Sequence, residues 1–347
     1  MRFFFLIFIY FLIPFHITGQ EKKIENLDQN FSNKMEWFSE AKLGIFIHWG
    51  IYSVNGISES WSFFNGYISH LDYMKQLNNF GAEKYKPEEW AEIIEESGAK
   101  YTVITTKHHD GFALWDSEYG KINSLISSKS KSDLLTPFVK EIRKKGLKLG
   151  LYYSLPDWSY EDYTFHTNKI KRYEIDDDPE RWKKFLTFRD NQLSELKKRY
   201  NPDLWWFDGD WEQNAKEWES ENLKKLLQKN NKNTIFNSRL NSYGDYETPE
   251  IGIPVYRPSK KYWELCMTIN DSWGYQQNDT NYKSPMQILD LFVDTLSKGG
   301  NLLLNISPKS DGTIPKQQKE VLKELGKWNK KHSSAVYLTK KGIPYDH

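Results

Sequence analysis

The sequence predicts an α/β protein built as a (β/α)8-like TIM barrel, distorted from the ideal eight units, on three observations. About seven short apolar runs alternate with amphipathic stretches along the 347 residues, and neighbouring parallel strands need return paths of that length. The carboxyl ends of those runs carry His, Asp, Arg and Trp, where such a barrel gathers its chemistry. No glycine-rich phosphate loop follows an early strand, which counts against the runner-up, a doubly wound open sheet.

Lys42 to Gly50 reads as a buried strand ending in His48-Trp49-Gly50. Pro87 to Ser97 is a helix: Pro87 suits a first turn, Trp90, Ile93, Ile94 and Ser97 share a face, and Gly98 closes it. Tyr101 to Thr106 is the next strand and runs into Lys107-His108-His109-Asp110-Gly111-Phe112. Ser132-Asp133 cap a helix that stops at Lys145-Gly146. Lys148 to Ser154 forms a third strand, Pro179 to Tyr200 a long helix, and Leu204 to Phe207 a fourth strand. A helix over Ala215 to Lys229 leads to the strand Thr234 to Arg239 and a loop carrying Glu247, Pro249 and Glu250. The strand Tyr262 to Thr268, the helix Pro285 to Lys298, the strand Gly299 to Ile306 and a closing helix from Pro315 to Lys331 complete the unit. One catalytic barrel over residues 35–335 is expected, without repeats or an internal linker.

Lys plus Arg (48) almost balance Asp plus Glu (47), so no global field favours nucleic acid or an acidic membrane surface, and no nucleic-acid-binding motif is present. Met1-Arg2, the apolar run Phe3 to Phe15 and the small, polar Thr18-Gly19-Gln20 read as a signal peptide over residues 1–20; the run is short for a membrane span. The expectation is an exported protein, periplasmic or secreted, with no membrane partner after cleavage; a retained N-terminal anchor is the alternative. A polar leader follows over 21–34. Cys266 is the sole cysteine, so it has no second thiol for a disulfide or a metal and reads as buried packing. The sequence is silent on oligomeric state.

The stretch Pro202 to Trp211 carries the sharpest chemical signal. A strand stops at Asp208-Gly209, wrapped in Trp205, Trp206 and Trp211. Aromatic faces stack on sugar rings while a strand-end acid reaches the scissile carbon; the competing reading is an Asp-Gly turn beside core aromatics. Other strand ends add His48, His108, His109, Asp110, Tyr152, Arg239, Trp263 and Glu264, more polar groups than a structural barrel needs. Adjacent histidines on a strand point to opposite faces, so His108 and His109 share a metal only if the strand has already ended. No metal and no organic cofactor are expected.

At these residues the chain resembles the α-L-fucosidases of glycoside hydrolase family 29. The matching pieces are Gly44 to Gly50 with Tyr52-Ser53-Val54, Lys107 to Phe112, Gly150 to Ser154, Trp206-Phe207-Asp208-Gly209, Trp263-Glu264, Ser272-Trp273-Gly274-Tyr275 and Gly300 to Asn305, in the family's order. The resemblance implies a retaining exo-glycosidase that removes terminal α-L-fucose from a fucosylated oligosaccharide or glycoconjugate. Asp208 is the implied nucleophile. The acid/base position varies across the family; Glu250 matches it best, with Glu264 as the alternative and Glu247 third. The resemblance also implies that His48, His108, His109, Tyr152 and Arg239 hold the sugar hydroxyls and ring oxygen, with Trp61 and Trp206 on its apolar face. Many members place Glu directly before Trp in the second loop, whereas this chain reads Glu59-Ser60-Trp61, which leaves the role of Glu59 open. Members usually continue into a β-sandwich, so residues 336–347 read as a tail at its start. Two other functions remain in view: an exo-α-L-galactosidase of the same mechanism, and a non-catalytic carbohydrate-binding protein.

Overall fold

The computed structural model describes residues 18–256, 258 and 260–339; the signal-peptide expectation and the end of the tail therefore lie largely outside the described residues. Helix α1 (Thr18–Ala41) leads into β1 (Leu43–Ile47), then α2 (Pro87–Glu96), β2 (Tyr101–Lys107), α3 (Leu135–Lys144), β3 (Lys148–Ser154), α4 (Pro179–Tyr200), β4 (Leu204–Asp208), α5 (Ser220–Gln228), β5 (Ile235–Phe236), β6 (Glu264–Thr268), α6 (Pro285–Ser297), β7 (Asn301–Ile306) and α7 (Lys316–Val336). The boundary expected between leader and barrel, at residues 34 and 35, falls inside α1. Among the described residues, no helix is long and apolar enough to cross a membrane.

The strands form one parallel sheet in the order β5-β4-β3-β2-β1-β7-β6. Between its two edges runs an irregular stave. Asn237 bridges Tyr246, Glu247 bridges Trp263 and Glu250 bridges Cys266, all parallel, so residues 246–250 stand where an eighth strand belongs and the barrel closes.

Residues two apart along each strand share a face. Phe46, Tyr101, Val103, Tyr152, Trp206 and Leu303 pack inside the barrel, whereas Ile45, Ile104, Leu151, Trp205, Phe207 and Leu302 pack outward with the helices. Cys266 is a free thiol buried in the inner cluster, as expected. One face of α1 presents Met35, Phe38 and Ala41 to that cluster, and the Phe38 ring lies 4.4 Å from Tyr246 and 5.9 Å from Tyr101. This closes the end of the barrel opposite the strand carboxyl ends.

The strands expected from Tyr262 and Gly299 begin two residues later, and two elements are shorter by more than that. The run Thr234 to Arg239 pairs as strand only at Ile235–Phe236. The Asn237 side chain then replaces the ladder, accepting from Phe207 N at 2.9 Å and donating to Phe207 O at 2.8 Å. Helix α5 begins at Ser220 because Glu219 takes φ 47° and the Asn214 side chain holds the preceding turn through Lys216 N and Glu217 N.

Candidate active site

Asp208 ends β4 and shares the inward face with Leu204 and Trp206, so the same alternation that builds the core delivers its carboxylate to the open end of the barrel. The next residue, Gly209, has φ 82°, and a Cβ there would lie 2.3 Å from Pro156 Cδ; only glycine turns this tightly beneath the acid. Tyr152 Oη, one strand away, donates to Asp208 Oδ2 at 2.9 Å. Arg239 Nη1 donates to Oδ1 at 2.7 Å, and its guanidinium rests 4.7 Å from the centre of the Trp206 ring. Burial would push the Asp208 carboxyl up, but the Arg239 charge, His109 and the hydrogen bonds from Arg239 and Tyr152 outweigh it and hold the group below its ordinary value. The acid is thus an anion at neutral pH.

Hydrogen-bond geometry assigns the histidine tautomers. Asn305 Nδ2 donates to Trp273 O at 2.7 Å, which turns Asn305 Oδ1 toward His48 Nδ1, 2.7 Å away. His48 therefore donates from Nδ1. Burial lowers its pKa to about 4, so the neutral ring offers Nε2 as an acceptor. Ser154 Oγ donates to Pro156 O at 2.6 Å and must accept from His109 Nδ1 at 2.5 Å. His109, also lowered to about 4 by burial, keeps an unpartnered Nε2 at 3.6 Å from Asp208 Oδ2. His108 Nδ1 lies 2.6 Å from Ser60 Oγ.

These groups do not all face the same space. A cavity of about 460 Å³ is lined by His48, Glu59, Trp61, His108, Tyr152, Trp206, Asp208, Arg239 and Glu250, together with Phe46, Trp211 and Trp273. His109 is fully buried and stands behind Asp208 rather than on the cavity wall. A larger cavity of about 1260 Å³ lies by the starts of β3 and β4. Six of its charged groups pair internally, Arg143 and Lys148 with Asp203, Lys34 and Lys224 with Asp245, and it lies at the end of the barrel that carries stability rather than chemistry.

Of the candidate partners for Asp208, Glu250 lines the smaller cavity and accepts from Arg239 Nη2, so one guanidinium spans both carboxylates. Glu264 does not reach it. It is the first residue of β6, paired with Asn301, and is fully buried, with Tyr101 Oη donating at 2.6 Å and Trp206 Nε1 at 3.0 Å. The sequence placed it at a strand's carboxyl end; the register puts it at the amino end. Glu247, bridged to Trp263, is also absent from the lining. Glu59 is buried with its carboxyl pushed up by burial, and accepts from Gly274 N.

Burial pushes Glu264 up to about 7 despite its hydrogen bonds. A folded pKa above the unfolded value stabilises fully below pH 4.5, and that stabilisation is lost as pH rises through 7. Relative to wild type, Glu264→Gln should therefore gain on the order of 3 kcal/mol of stability between pH 4 and pH 8. Urea midpoints of both proteins across that range check this, and parallel pH profiles would refute it.

Ligand atoms of His108, His109 and Asp208 lie within 4.8 Å of one another. Because β2 ends at Lys107, the histidines escape strand alternation, and the geometric objection to a shared ion does not hold for them. Asp110 turns away, accepting from Tyr73 Oη at 2.6 Å and Phe112 N at 2.9 Å. Asp208 already has Arg239 and Tyr152, and both histidine Nδ1 atoms face serine hydroxyls.

Sequence reasoning left Phe46 and Trp273 out of the lining, and Ser60, Ser154 and Asn305 out of the supports; of the three tryptophans it set around Asp208, Trp206 and Trp211 line the cavity and Trp205 packs outward. Phe46 was legible two residues before His48, and Trp273 and Asn305 stand inside matched motifs.

The model of the family described as alpha-L-fucosidase matches residues 15–334. An alpha-L-fucosidase of Branchiostoma floridae is 35% identical over 338 residues, 88% of this chain and 72% of that protein. The structure of alpha-L-fucosidase isoenzyme 1 from Paenibacillus thiaminolyticus superposes with a TM-score of 0.83 at 30% identity, covering 91% of this chain and 79% of that one. A trapped covalent intermediate of a GH29 alpha-L-fucosidase from Bacteroides thetaiotaomicron, in complex with 2-fluoro-fucosyl fluoride, superposes with a TM-score of 0.80 at 30% identity, covering 89% and 77%.

Proposed function

The chain belongs to the alpha-L-fucosidase family of glycoside hydrolases, and from that premise we propose that it is a retaining exo-α-L-fucosidase acting on terminal α-L-fucose of glycans. The observation that carries this reading is the Arg239 guanidinium bonded to both Asp208 and Glu250. One guanidinium bonded to both carboxyls brings them together on the wall of one cavity, the arrangement in which retaining enzymes hold a nucleophile and an acid/base about 5 Å apart. The covalent intermediate trapped in the Bacteroides relative supports the same course.

In this mechanism Asp208, held anionic, attacks the anomeric carbon while Glu250 protonates the departing glycosidic oxygen. Glu250 then removes a proton from water, which attacks the same carbon and releases fucose and free Asp208. The raised carboxyl of Glu264 would by itself suit a general acid, but that group is sealed below Trp206, whereas Glu250 is exposed to the arriving aglycone. His48 accepts a sugar hydroxyl at Nε2, and His108 and Glu59 offer further polar contacts. Phe46, Trp206 and Trp273 form an apolar floor suited to a methyl group at C5.

The test is release of nitrophenol from aryl α-L-fucoside and aryl α-L-galactoside. The fucoside should be preferred by about tenfold or more, since the added hydroxyl meets an apolar floor. Preference for the galactoside would keep the chemistry and replace the substrate; inactivity of folded protein on both, and on natural fucosylated glycans, would leave a binding protein.

A further inference from the structure

We propose that Trp211 is the platform for the sugar next to the fucose, a pyranose with a continuous face of C–H bonds that leaves when the glycosidic bond breaks. The inference rests on the retaining-fucosidase reading and extends it to the leaving group.

The cavity has two zones. Its deep wall is made of groups almost closed to solvent: His48, His108, Tyr152 and Trp206 are 1–6% exposed. Its rim holds Trp211, 55% exposed, and Glu250, whose side chain is 35% exposed. A general acid must stand beside the glycosidic oxygen, so the next sugar begins at the rim. An isolated exposed tryptophan is ordinary; this one lines the same cavity as both carboxylates.

The turn that presents it is fixed on both sides. Asp210 Oδ2 accepts from Asn241 N at 2.7 Å, and Asp210 O accepts from Trp218 Nε1 at 3.0 Å. Glu212 accepts from Trp158 Nε1 at 2.9 Å and from Tyr163 Oη. With its neighbours tied down, Trp211 loses little freedom on binding, which is how a stacking surface gains affinity. Its indole stands edge-on to His109, with centroids 6.4 Å apart, which places it on the Asp208 side of the rim.

The experiment compares kcat/KM for fucosyl-galactose disaccharides of each linkage with kcat/KM for α-L-fucosyl fluoride, whose leaving group is a single atom. The disaccharide-to-fluoride ratio should fall about tenfold in Trp211→Ala and in Trp211→Leu, which keeps apolar bulk without a ring, and stay within about twofold of wild type in Trp211→Tyr. The ratio removes any general loss common to both substrates. An unchanged ratio in Ala and Leu overturns the proposal, as does a Tyr variant that falls as far as Ala, or a wild type that hydrolyses the fluoride but no disaccharide. A wild type inert toward the fluoride as well defeats the underlying fucosidase reading instead.

Discussion

Asp208→Ala is expected to lower kcat/KM on an aryl α-L-fucoside by at least about 10³-fold while the protein remains folded. The substitution removes the atom that forms the covalent bond; of the other carboxylates on the wall, Glu250 sits on the opposite arm of Arg239 and Glu59 is tied to Gly274 N, while Glu264 lies sealed beneath Trp206. Folding should survive because Arg239 keeps its hydrogen bond to Glu250 and its place over the Trp206 ring. Added azide should then restore turnover and yield a fucosyl azide of inverted configuration, since the small anion enters from the face that Asp208 occupied. Retention of more than about a tenth of wild-type activity would remove Asp208 as nucleophile.

Glu250→Ala should cost about 10²- to 10⁴-fold on an unactivated glycoside, with the loss shrinking as the leaving group becomes more acidic. That dependence separates an acid catalyst from a binding group, whose removal slows all leaving groups alike. Azide should again rescue, here with retained configuration, because the anion replaces the water that Glu250 activates. Glu264→Ala supplies the contrast. It strands Tyr101 Oη and Trp206 Nε1 in the barrel interior and should appear as a loss of roughly 2–4 kcal/mol of stability. A leaving-group dependence in the Glu264 variant and none in the Glu250 variant would exchange their roles.

Much of the scaffold was legible because local signals agreed with the tertiary outcome. Helix α4 runs from Pro179 to Tyr200 as expected, with Asp178 accepting from Arg181 N and Pro at the first turn, and β3 spans Lys148–Ser154 as expected. Legibility failed where side chains stand in for backbone. At Asn237 an amide replaces the strand ladder, so a β-branched and aromatic run yields only Ile235–Phe236 as strand. For the site, alternation told which residues face inward but not how deep they sit. Depth depends on the stagger between strands, which placed Glu264 level with Asn301 at the floor while Asp208 stands level with Ser154 at the mouth. His109 illustrates the same limit: residue type marked it as polar machinery, but only the loop path after Lys107 leaves it off the cavity lining.

The irregular stave between β5 and β6 gives the two proposed catalytic carboxylates unequal footings. Asp208 ends a strand paired with β3 at every residue from Leu204 onward, so moving it means re-registering the barrel. Glu250 belongs to a segment joined to the sheet only through isolated bridges, where an insertion or a shift of one residue breaks few bonds. On the proposed assignment, the nucleophile moves only with the fold, whereas the acid can shift by a residue without rebuilding the core.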